Sequence, residues 1–232
     1  MLPRAVLFDL DDTLISFDST TTPAWIETCA LFAEEAGVPS DVLHQAISDF
    51  GRWYWSDPTR HQQGRLELEE TRRKIVAEVL VRLDRPNEAL ACRITDHYSA
   101  LQKSCIELYP DALDTLEFFK AKGISLALVT NGNAVMQRRK IDRFHLNAYF
   151  EHCFVEGELG YGKPDPRVFT GALDALKTAP HDTWCVGDNL VWDVAGAQAC
   201  GIYGIWKAKD AKDHGEIVPD RIIHELRELT RL

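Results

Sequence analysis

The spacing of the hydrophobic residues divides the chain into three consecutive stretches. Short continuous apolar runs, which are typical of strands buried on both faces, occur at the start of the chain and again after Pro110. Between them, residues 16–105 place apolar side chains at every third or fourth position and contain no run typical of a strand. This pattern predicts a helical segment inserted into a region of alternating strands and helices.

The inserted segment is predicted to contain four helices. Its first helix begins near Thr22 and ends at Gly37, and its third spans roughly residues 63–83. Pro86 then breaks the chain before the fourth helix. Four helices joined by short connections favour a small bundle, so we expect residues 16–105 to form a helical cap domain.

The rest of the chain alternates strands with helices. Continuous apolar runs predict five strands, at residues 5–8, 124–129, 153–155, 184–186 and 203–206. The helices predicted between them make β-α-β units, which produce a parallel sheet. The first strand can join this sheet only across the helical insertion. We therefore predict an α/β fold, a doubly wound parallel sheet with a Rossmann-like core, built from residues 1–15 and 106–232.

Candidate reactive side chains follow the ends of these predicted strands. Asp9 and Asp11 come directly after the first strand, and Thr130 and Asn131 come directly after the second. The helix that follows Asn131 presents unpaired N–H groups at its start, and such groups can bind an anion. Ligands of open α/β sheets collect beyond the carboxyl ends of the strands, so we expect these residues to share one crevice.

The later part of the chain adds one cation and further carboxylates. Lys163 lies in a loop before the fourth predicted strand, and Asp188, Asn189 and Asp193 follow the end of that strand. Several carboxylates and one lysine on a single sheet edge indicate a hard-cation site that faces a phosphate group.

The composition is that of an ordinary globular protein with an acidic balance. The chain has 232 residues, 45% of them hydrophobic, and a formal net charge of -10. Nucleic acids and anionic membranes bind clustered Lys and Arg, so we expect neither as a partner. A small anionic substrate is compatible with this charge, because a metal ion and a lysine can reverse the potential inside a pocket. We expect the basic runs at residues 72–74 and 138–140 to be solvated helix faces.

Cysteine usage and hydropathy indicate the compartment. The six cysteines form no C-x-x-C pair, and several lie in apolar stretches, as expected for reduced core residues. No apolar run approaches the roughly 18 residues needed to span a bilayer, and no leader pattern precedes Asp9. We therefore expect a cytoplasmic protein.

Four motifs at these positions resemble those of the haloacid dehalogenase-like (HAD) hydrolase superfamily. Residues 9–13 are similar to the D-x-D-x-T motif of that superfamily, Thr130 to its second motif and Lys163 to its third. Residues 187–193 are similar to its G-D-x-x-x-x-D motif. The order of the motifs, and a helical insertion after the first strand, resemble the phosphatase branch with an inserted cap.

The resemblance implies a Mg2+-dependent phosphatase. It assigns Asp9 as the nucleophile, which forms an aspartyl phosphate that water then hydrolyses. Asp11 would protonate the leaving oxygen and later deprotonate the attacking water. Mg2+ would be held by Asp9, Asp188 and the backbone carbonyl of Asp11.

The resemblance also implies how the phosphate group is held. Lys163, Thr130 and Asn131 would bind its oxygens. Asp193 would orient Lys163 or a metal-bound water. Asn189 would support the residues that bind the phosphate and the metal ion, without binding either itself.

A second similarity suggests the substrate class. Residues 130–141 are similar to the corresponding stretch of nucleotide and acyl-sugar phosphate phosphatases, so we expect a small phosphate monoester, a nucleotide or a sugar phosphate. A phosphomutase would use the same residues, and a binding protein could keep the fold without catalysis; the sequence leaves both open. A dehalogenase is disfavoured because it requires neither Asp11 nor Asp188. No motif indicates the oligomeric state.

Overall fold

The computed structural model describes residues 2–209 and 215–232. The chain forms two compact units, one made of Met1–Ser16 with Glu107–Leu232 and the other of Phe17–Ile106. We call the first the sheet unit and the second the helical unit. Their expected roles as catalytic core and cap stay predictions.

The described part of the sheet unit contains six strands. They are β1 (Ala5–Phe8), β2 (Ser125–Thr130), β3 (His152–Val155), β4 (Thr183–Gly187), β5 (Tyr203–Lys207) and β6 (Arg221–Ile223). All of them are parallel, in the order β3-β2-β1-β4-β5-β6. The chain adds strands on one side of β1 and then returns to add β4 on the other side. The predicted doubly wound parallel sheet is therefore confirmed.

Hydrophobic burial explains the central position of β1. All four of its residues are buried, and Leu7 lies opposite Ala127 of β2 on one side and Cys185 of β4 on the other. A strand covered on both faces needs such a continuous apolar sequence. The sequence did not predict β6, because three residues are too few for a hydrophobic period and two of them, Arg221 and Ile222, are exposed.

The helical unit, which the structure describes in full, has five helices rather than the predicted four. They are α1 (Asp18–Ala36), α2 (Ser40–Trp55), α3 (Pro58–Leu66), α4 (Leu68–Arg82) and α5 (Glu88–Cys105). The stretch predicted as one helix over 63–83 is divided at Glu67, which leaves the helical conformation with φ -119° and ψ 45°. The apolar residues that predicted the long helix begin only at Ile75, so they do not hold α3 in line with α4. Gly64 of α3 lies instead against the ring of Trp55, with no room for a Cβ atom.

Four of these helices share an apolar core. It includes Cys29 of α1, Leu43 of α2, Leu80 of α4 and Ile94 of α5. The helical unit therefore has a hydrophobic interior of its own, as a separately packed unit requires.

One side chain of the helical unit corrects an expectation from the sequence. Arg72 was predicted on a solvated helix face, but it is buried because α4 packs that side against α5. Its guanidinium donates a hydrogen bond to Oε1 of Gln102 at 2.8 Å and lies 4.9 Å from the centre of the Tyr98 ring. The neutral amide and the aromatic ring take the place of water around this cation.

The described helices of the sheet unit flank its strands in the chain. They are α6 (Ala112–Ala121), α7 (Ala134–Arg143), α8 (Glu156–Leu159), α9 (Pro166–Leu176) and α10 (Gly196–Gln198). A π-helix, Leu190–Ala195, leads into α10 where the sequence predicted one α-helix. Such turns are frequent at functional sites. Asn133 begins α7, and its Oδ1 accepts a hydrogen bond from the Met136 N–H at 3.1 Å.

Neither a membrane-spanning helix nor a disulfide occurs in the part of the chain that the structure describes. Among residues 2–209 and 215–232, no helix has the length and hydropathy of a membrane span. The six cysteines are free. Cys29 and Cys185 are buried as predicted, whereas Cys92 and Cys105 are exposed, because α5 turns both away from the core of the helical unit.

Candidate active site

The carboxyl ends of β1 and β4 bring three carboxylates together. Asp9 follows β1 and Asp188 follows β4, and these strands are neighbours at the point where the strand order reverses. Asp193, in the π-helix after β4, joins them: one oxygen of each carboxylate lies within 4.8 Å of the others. The sequence predicted Asp9 and Asp188 at a metal site, and Asp193 lies as close to them.

Lys163 lies between two of these carboxylates. Its Nζ is 2.6 Å from Oδ1 of Asp9 and 2.6 Å from Oδ1 of Asp193, and its side chain is only 3% exposed. Burial alone lowers the pKa of the Lys163 ammonium, but Asp193 and Asp9 raise it, and the net direction is upward. Lys163 is therefore a buried cation whose position is fixed from two sides.

The carboxylates themselves are difficult to ionise together. Burial raises the pKa of Asp9 to about 7; Lys163 opposes this rise and neighbouring carboxylates add to it. Burial likewise raises the pKa of Asp188 to about 8, and Asp9 and Asp193 add to that rise. A cation bound among the three oxygens would remove this cost. An all-oxygen carboxylate set is the kind that Mg2+ binds, so these residues fit a hard divalent ion.

The position of Asp193 depends on Gly187, the last residue of β4, and on Asn189. A Cβ atom on Gly187 would lie 2.2 Å from Oδ2 of Asp193, so only glycine leaves room for this carboxylate. The Asn189 N–H donates to Oδ2 of Asp193 at 2.9 Å. Oδ1 of Asn189 also accepts from the Val191 and Trp192 N–H groups. Asn189 thus begins the π-helix and fixes Asp193 at the same time.

Asn131 binds the loop that carries Lys163. Its Nδ2 donates to the Lys163 carbonyl oxygen at 2.8 Å, and its Oδ1 accepts from the Lys163 N–H at 2.8 Å. The side chain of Asn131 therefore holds the loop, a role that the sequence did not indicate. Its predicted contact with phosphate stays a prediction, as does that of Thr130, which is buried at the end of β2.

A buried carboxylate that was not predicted from the sequence lies beside the start of α7. Glu156 is 2% exposed, and its Oε2 accepts from the Gly132 N–H at 2.8 Å. Gly132 lies two residues before α7, so this bond fixes the chain that leads into the helix. The signal was present in the sequence, because Glu156 directly follows the predicted strand 153–155.

The side chain of Asp11 is directed to α7. Nζ of Lys140 lies 2.7 and 2.8 Å from its two oxygens, and Nε2 of Gln137 donates to Oδ2 at 2.9 Å. Lys140 was predicted on a solvated face, which is wrong: its side chain is only 12% exposed, because this side of α7 meets the end of β1. Arg139 is exposed as predicted. The spacing of Gln137 and Lys140 on one helix face was the available signal.

Two further lysines, for which the sequence predicted no role, lie at the end of β5. Lys207 donates to the carbonyl oxygen of Asp12 at 2.9 Å. Nζ of Lys209 is 3.2 Å from Oδ1 of Asp12 and 4.0 Å from Oδ2 of Asp188. Asp12 directly follows Asp11 in the chain. Its φ of 61° places its backbone in the left-handed conformation. These contacts add positive charge beside the carboxylate cluster.

The fold and the site together define an α/β enzyme whose reactive groups lie at the carboxyl ends of parallel strands. Residues 3–201 match the family described as haloacid dehalogenase-like hydrolase. The chain belongs to this family and is therefore a hydrolase.

Known relatives include more than one activity. Phosphoserine phosphatase from Thermus thermophilus is 29% identical, over 97% of this chain and 97% of its own. (S)-2-haloacid dehalogenase 1 from a Pseudomonas species is 37% identical over 109 residues, which are 47% of this chain and 45% of that protein.

A solved structure shares the fold over the whole chain. The magnesium-bound HAD-hydrolase YfnB from Bacillus subtilis matches with a TM-score of 0.75 and 23% identity, over 100% of this chain and 98% of its own. At this identity the match bears on the fold alone.

Proposed function

We propose that this protein is a phosphatase that hydrolyses a small phosphate monoester through an aspartyl phosphate on Asp9. The observation that carries the proposal is the convergence of Asp9, Asp188 and Asp193 at the ends of β1 and β4, with Lys163 between Asp9 and Asp193. Family membership and the phosphoserine phosphatase relative support the same reaction class.

The first step transfers the phosphoryl group to the protein. An oxygen of Asp9 forms a bond to phosphorus while the bond between phosphorus and the ester oxygen breaks. Asp11 gives its proton to the departing oxygen, which leaves as an alcohol.

The second step returns Asp9 to its starting state. A water oxygen forms a bond to phosphorus, and Asp11, now ionised, takes a proton from this water. The bond between phosphorus and the Asp9 oxygen breaks, and inorganic phosphate leaves. The first step therefore consumes the proton on Asp11, and the second step restores a proton there from the attacking water.

A divalent ion fits the proposal. Asp9, Asp188 and the backbone carbonyl of Asp11 would hold Mg2+, which would neutralise charge so that an anionic carboxylate and an anionic phosphate can approach each other. The raised pKa values of Asp9 and Asp188 support a site that needs such a cation.

Lys163, Thr130 and Asn131 would bind the phosphate oxygens. The Lys163 ammonium is held by Asp193, which supports the proposal that Asp193 orients this cation. Asn189 would act indirectly, because its N–H donates a hydrogen bond to the Asp193 carboxylate.

The substrate is proposed as a nucleotide or sugar phosphate, and the helical unit as the cap that selects it. We propose a cytoplasmic enzyme with a small phosphorylated metabolite as its partner, and neither nucleic acid nor membrane. The partial match to a haloacid dehalogenase makes that reaction the second candidate. Asp11 and Asp188 favour the phosphatase, because both have roles in phosphoryl transfer that halide displacement does not need.

The test measures release of inorganic phosphate from nucleoside monophosphates, sugar phosphates and phosphoserine, with Mg2+ and with a chelator. The wild type is compared with D9N and with D174N, which changes an exposed aspartate of α9. We expect Mg2+-dependent release that D9N lowers by at least about 10³-fold and D174N leaves unchanged.

Three outcomes contradict the phosphatase. Halide release from 2-chloropropionate without phosphate release indicates the dehalogenase. Loss of the starting ester with formation of an isomeric ester, and no free phosphate, indicates a mutase. A folded protein that turns over neither class of compound indicates a binding protein.

A further inference from the structure

The carboxylate of Asp11 is held by two side chains of α7. Both of its oxygens lie within 2.8 Å of Nζ of Lys140, and Oδ2 also accepts from Nε2 of Gln137 at 2.9 Å. Lys140 is 129 residues away in the chain, so only the fold creates this contact.

Gln137 extends the contact to the end of β2. Its Nε2 also lies 2.6 Å from Oγ1 of Thr130 and 3.0 Å from the carbonyl oxygen of Asn131, and the residue is 3% exposed. One buried amide thus joins the carboxylate of Asp11 to a residue proposed to bind phosphate. A rotation of the Asp11 or the Thr130 side chain would break its hydrogen bond to Gln137.

We propose that Lys140 is a positioning residue that fixes the carboxylate of Asp11 for its proton transfers, with Gln137 as the link to Thr130. This inference rests on the proposed phosphatase function and names a residue that the family motifs do not include. General acid–base catalysis requires the carboxyl group within hydrogen-bond reach of the ester oxygen. A short aspartate side chain held at two oxygens loses the rotations that would take it out of reach.

The neighbouring ion pair on α7 shows what an ordinary surface contact looks like in this helix. Arg138 pairs with Glu158, and both side chains are more than one third exposed. Such pairs contribute little to stability. Arg138 also contacts both oxygens of Glu158, so burial distinguishes the two pairs: the side chains of Lys140 and Asp11 are only 12% and 26% exposed. Solvent screens the less exposed pair less, so the Lys140 contact restricts Asp11 more strongly.

The test compares esters whose leaving groups differ in their need for a proton. An alkyl alkoxide must be protonated as it leaves, whereas p-nitrophenolate is stable without a proton. We expect K140M to lower kcat/KM for glycerol 3-phosphate by about 10²-fold and for p-nitrophenyl phosphate by less than about threefold. The value of kcat/KM is used because it reports the first phosphoryl transfer, in which the leaving group departs.

Three matched variants separate positioning from charge and from folding. R139M removes a cation from the exposed face of the same helix, and we expect it to change neither ester. K140R keeps a cation that can contact both carboxylate oxygens, and we expect it to recover at least part of the activity on glycerol 3-phosphate. Q137A breaks the link to Thr130, and we expect it to shift the ratio between the two esters in the same direction as K140M.

Unfolding measurements provide an independent check. The equilibrium constants for unfolding of D11N, K140M and the double variant form a thermodynamic cycle. We expect a coupling factor of at least about twofold between the two positions. Independent effects of the two substitutions would mean that the contact does not form, and would overturn the inference.

The kinetic outcomes distinguish this inference from the function on which it rests. Equal losses on both esters, or no loss on either, would show that Lys140 does not position the proton donor, although the enzyme is a phosphatase. Absence of phosphate release from every ester by the wild type would overturn the proposed function and this inference with it.

Discussion

Each carboxylate of the candidate site has a different set of partners, and the partners decide its chemistry. Asp9 has the Lys163 ammonium at 2.6 Å, and Asp11 has the Lys140 ammonium at 2.7 and 2.8 Å. Asp188 has the Lys209 ammonium at 4.0 Å, the shortest such distance to it among the residues that the structure describes. Of these three carboxylates, Asp188 has the longest distance to a cationic side chain and therefore the clearest need for a metal ion.

Asp188 makes the stability of the metal-free protein depend on pH. Its folded pKa of about 8 lies above the usual value of 3.8, so between these values the folded state keeps a proton that the unfolded chain has lost. The free energy of unfolding therefore falls as pH rises through this window, by up to about 1.4 kcal/mol for each pH unit. D188N cannot ionise. We expect its midpoint of thermal unfolding in chelator to fall less than that of the wild type between pH 5 and pH 8.

The same variant tests the metal site. We expect Mg2+ at pH 8 to raise the unfolding midpoint of the wild type and to have little effect on D188N, because binding to the folded state stabilises it. D174N serves as the control and should behave as the wild type does. Equal pH responses of D188N and the wild type would show that Asp188 ionises normally in the fold.

At the scale of elements, the close approach of β4 to the π-helix positions Asp193. The strand ends at Gly187, and the carboxylate of Asp193 occupies the space where a side chain would begin. The sequence predicted both residues as parts of one motif. Their contact through space requires the π-helix, which periodicity alone did not predict.

We expect G187A to disrupt this arrangement. The new methyl group would lie 2.2 Å from Oδ2 of Asp193, so Asp193 must move and its ion pair with Lys163 must weaken. Overpacking of this kind destabilises proteins by about 1–3 kcal/mol, and we expect the rate of phosphate release to fall at least about tenfold. Chemical denaturation and phosphate release measure the two effects.

The control for G187A is a glycine with open space around it. A Cβ atom on Gly171 of α9 would meet only the Phe154 ring, at 3.8 Å. G171A should leave activity unchanged and raise stability by about 0.5–1 kcal/mol, since alanine favours a helix. A G187A enzyme with normal activity and stability would mean that Asp193 has freedom to move.

At the scale of the whole molecule, the chain leaves the sheet unit after Ser16 and returns to it at Glu107. The Ser16 N–H donates to the Glu107 carbonyl oxygen at 2.8 Å, and the Tyr109 N–H donates to that of Leu14 at 3.0 Å. The two ends of the sheet unit are therefore held together by bonds within that unit. Each unit also has its own apolar core.

We expect both units to fold when separated. Replacement of residues 17–106 by a linker of about four glycine and serine residues can connect Ser16 to Glu107 because these residues are already hydrogen-bonded. The shortened chain and the isolated segment 17–106 should each unfold cooperatively, by circular dichroism and calorimetry. A shortened chain without a cooperative transition would show that the sheet unit requires the helical unit to fold.

The helical unit also shows where prediction from the sequence stops. Periodicity identified the start of the fourth predicted helix after Pro86 and the end of α1 at Gly37, because proline and glycine act locally. It joined α3 to α4, because neither proline nor glycine stands at the break at Glu67.

The sequence by itself determined the order of the strands along the chain, the parallel sheet and the positions of the motif residues at strand ends. These follow from local patterns: apolar runs form buried strands, and polar residues directly after them must lie at the sheet edge. Glu156 and Lys207 also follow or end strands, so the same rule was available for them, although neither was predicted at the site.

Only the tertiary structure decided which of these residues became partners. Asp9 meets Lys163 across 154 residues, and Asp11 meets Lys140 across 129. The rotation of α7 about its axis buried Lys140 while Arg139 beside it stayed exposed. A run of basic residues has one sequence pattern whichever way its helix faces. The contact of α7 with Asp11, in the loop after β1, decides which of these basic side chains reaches the site.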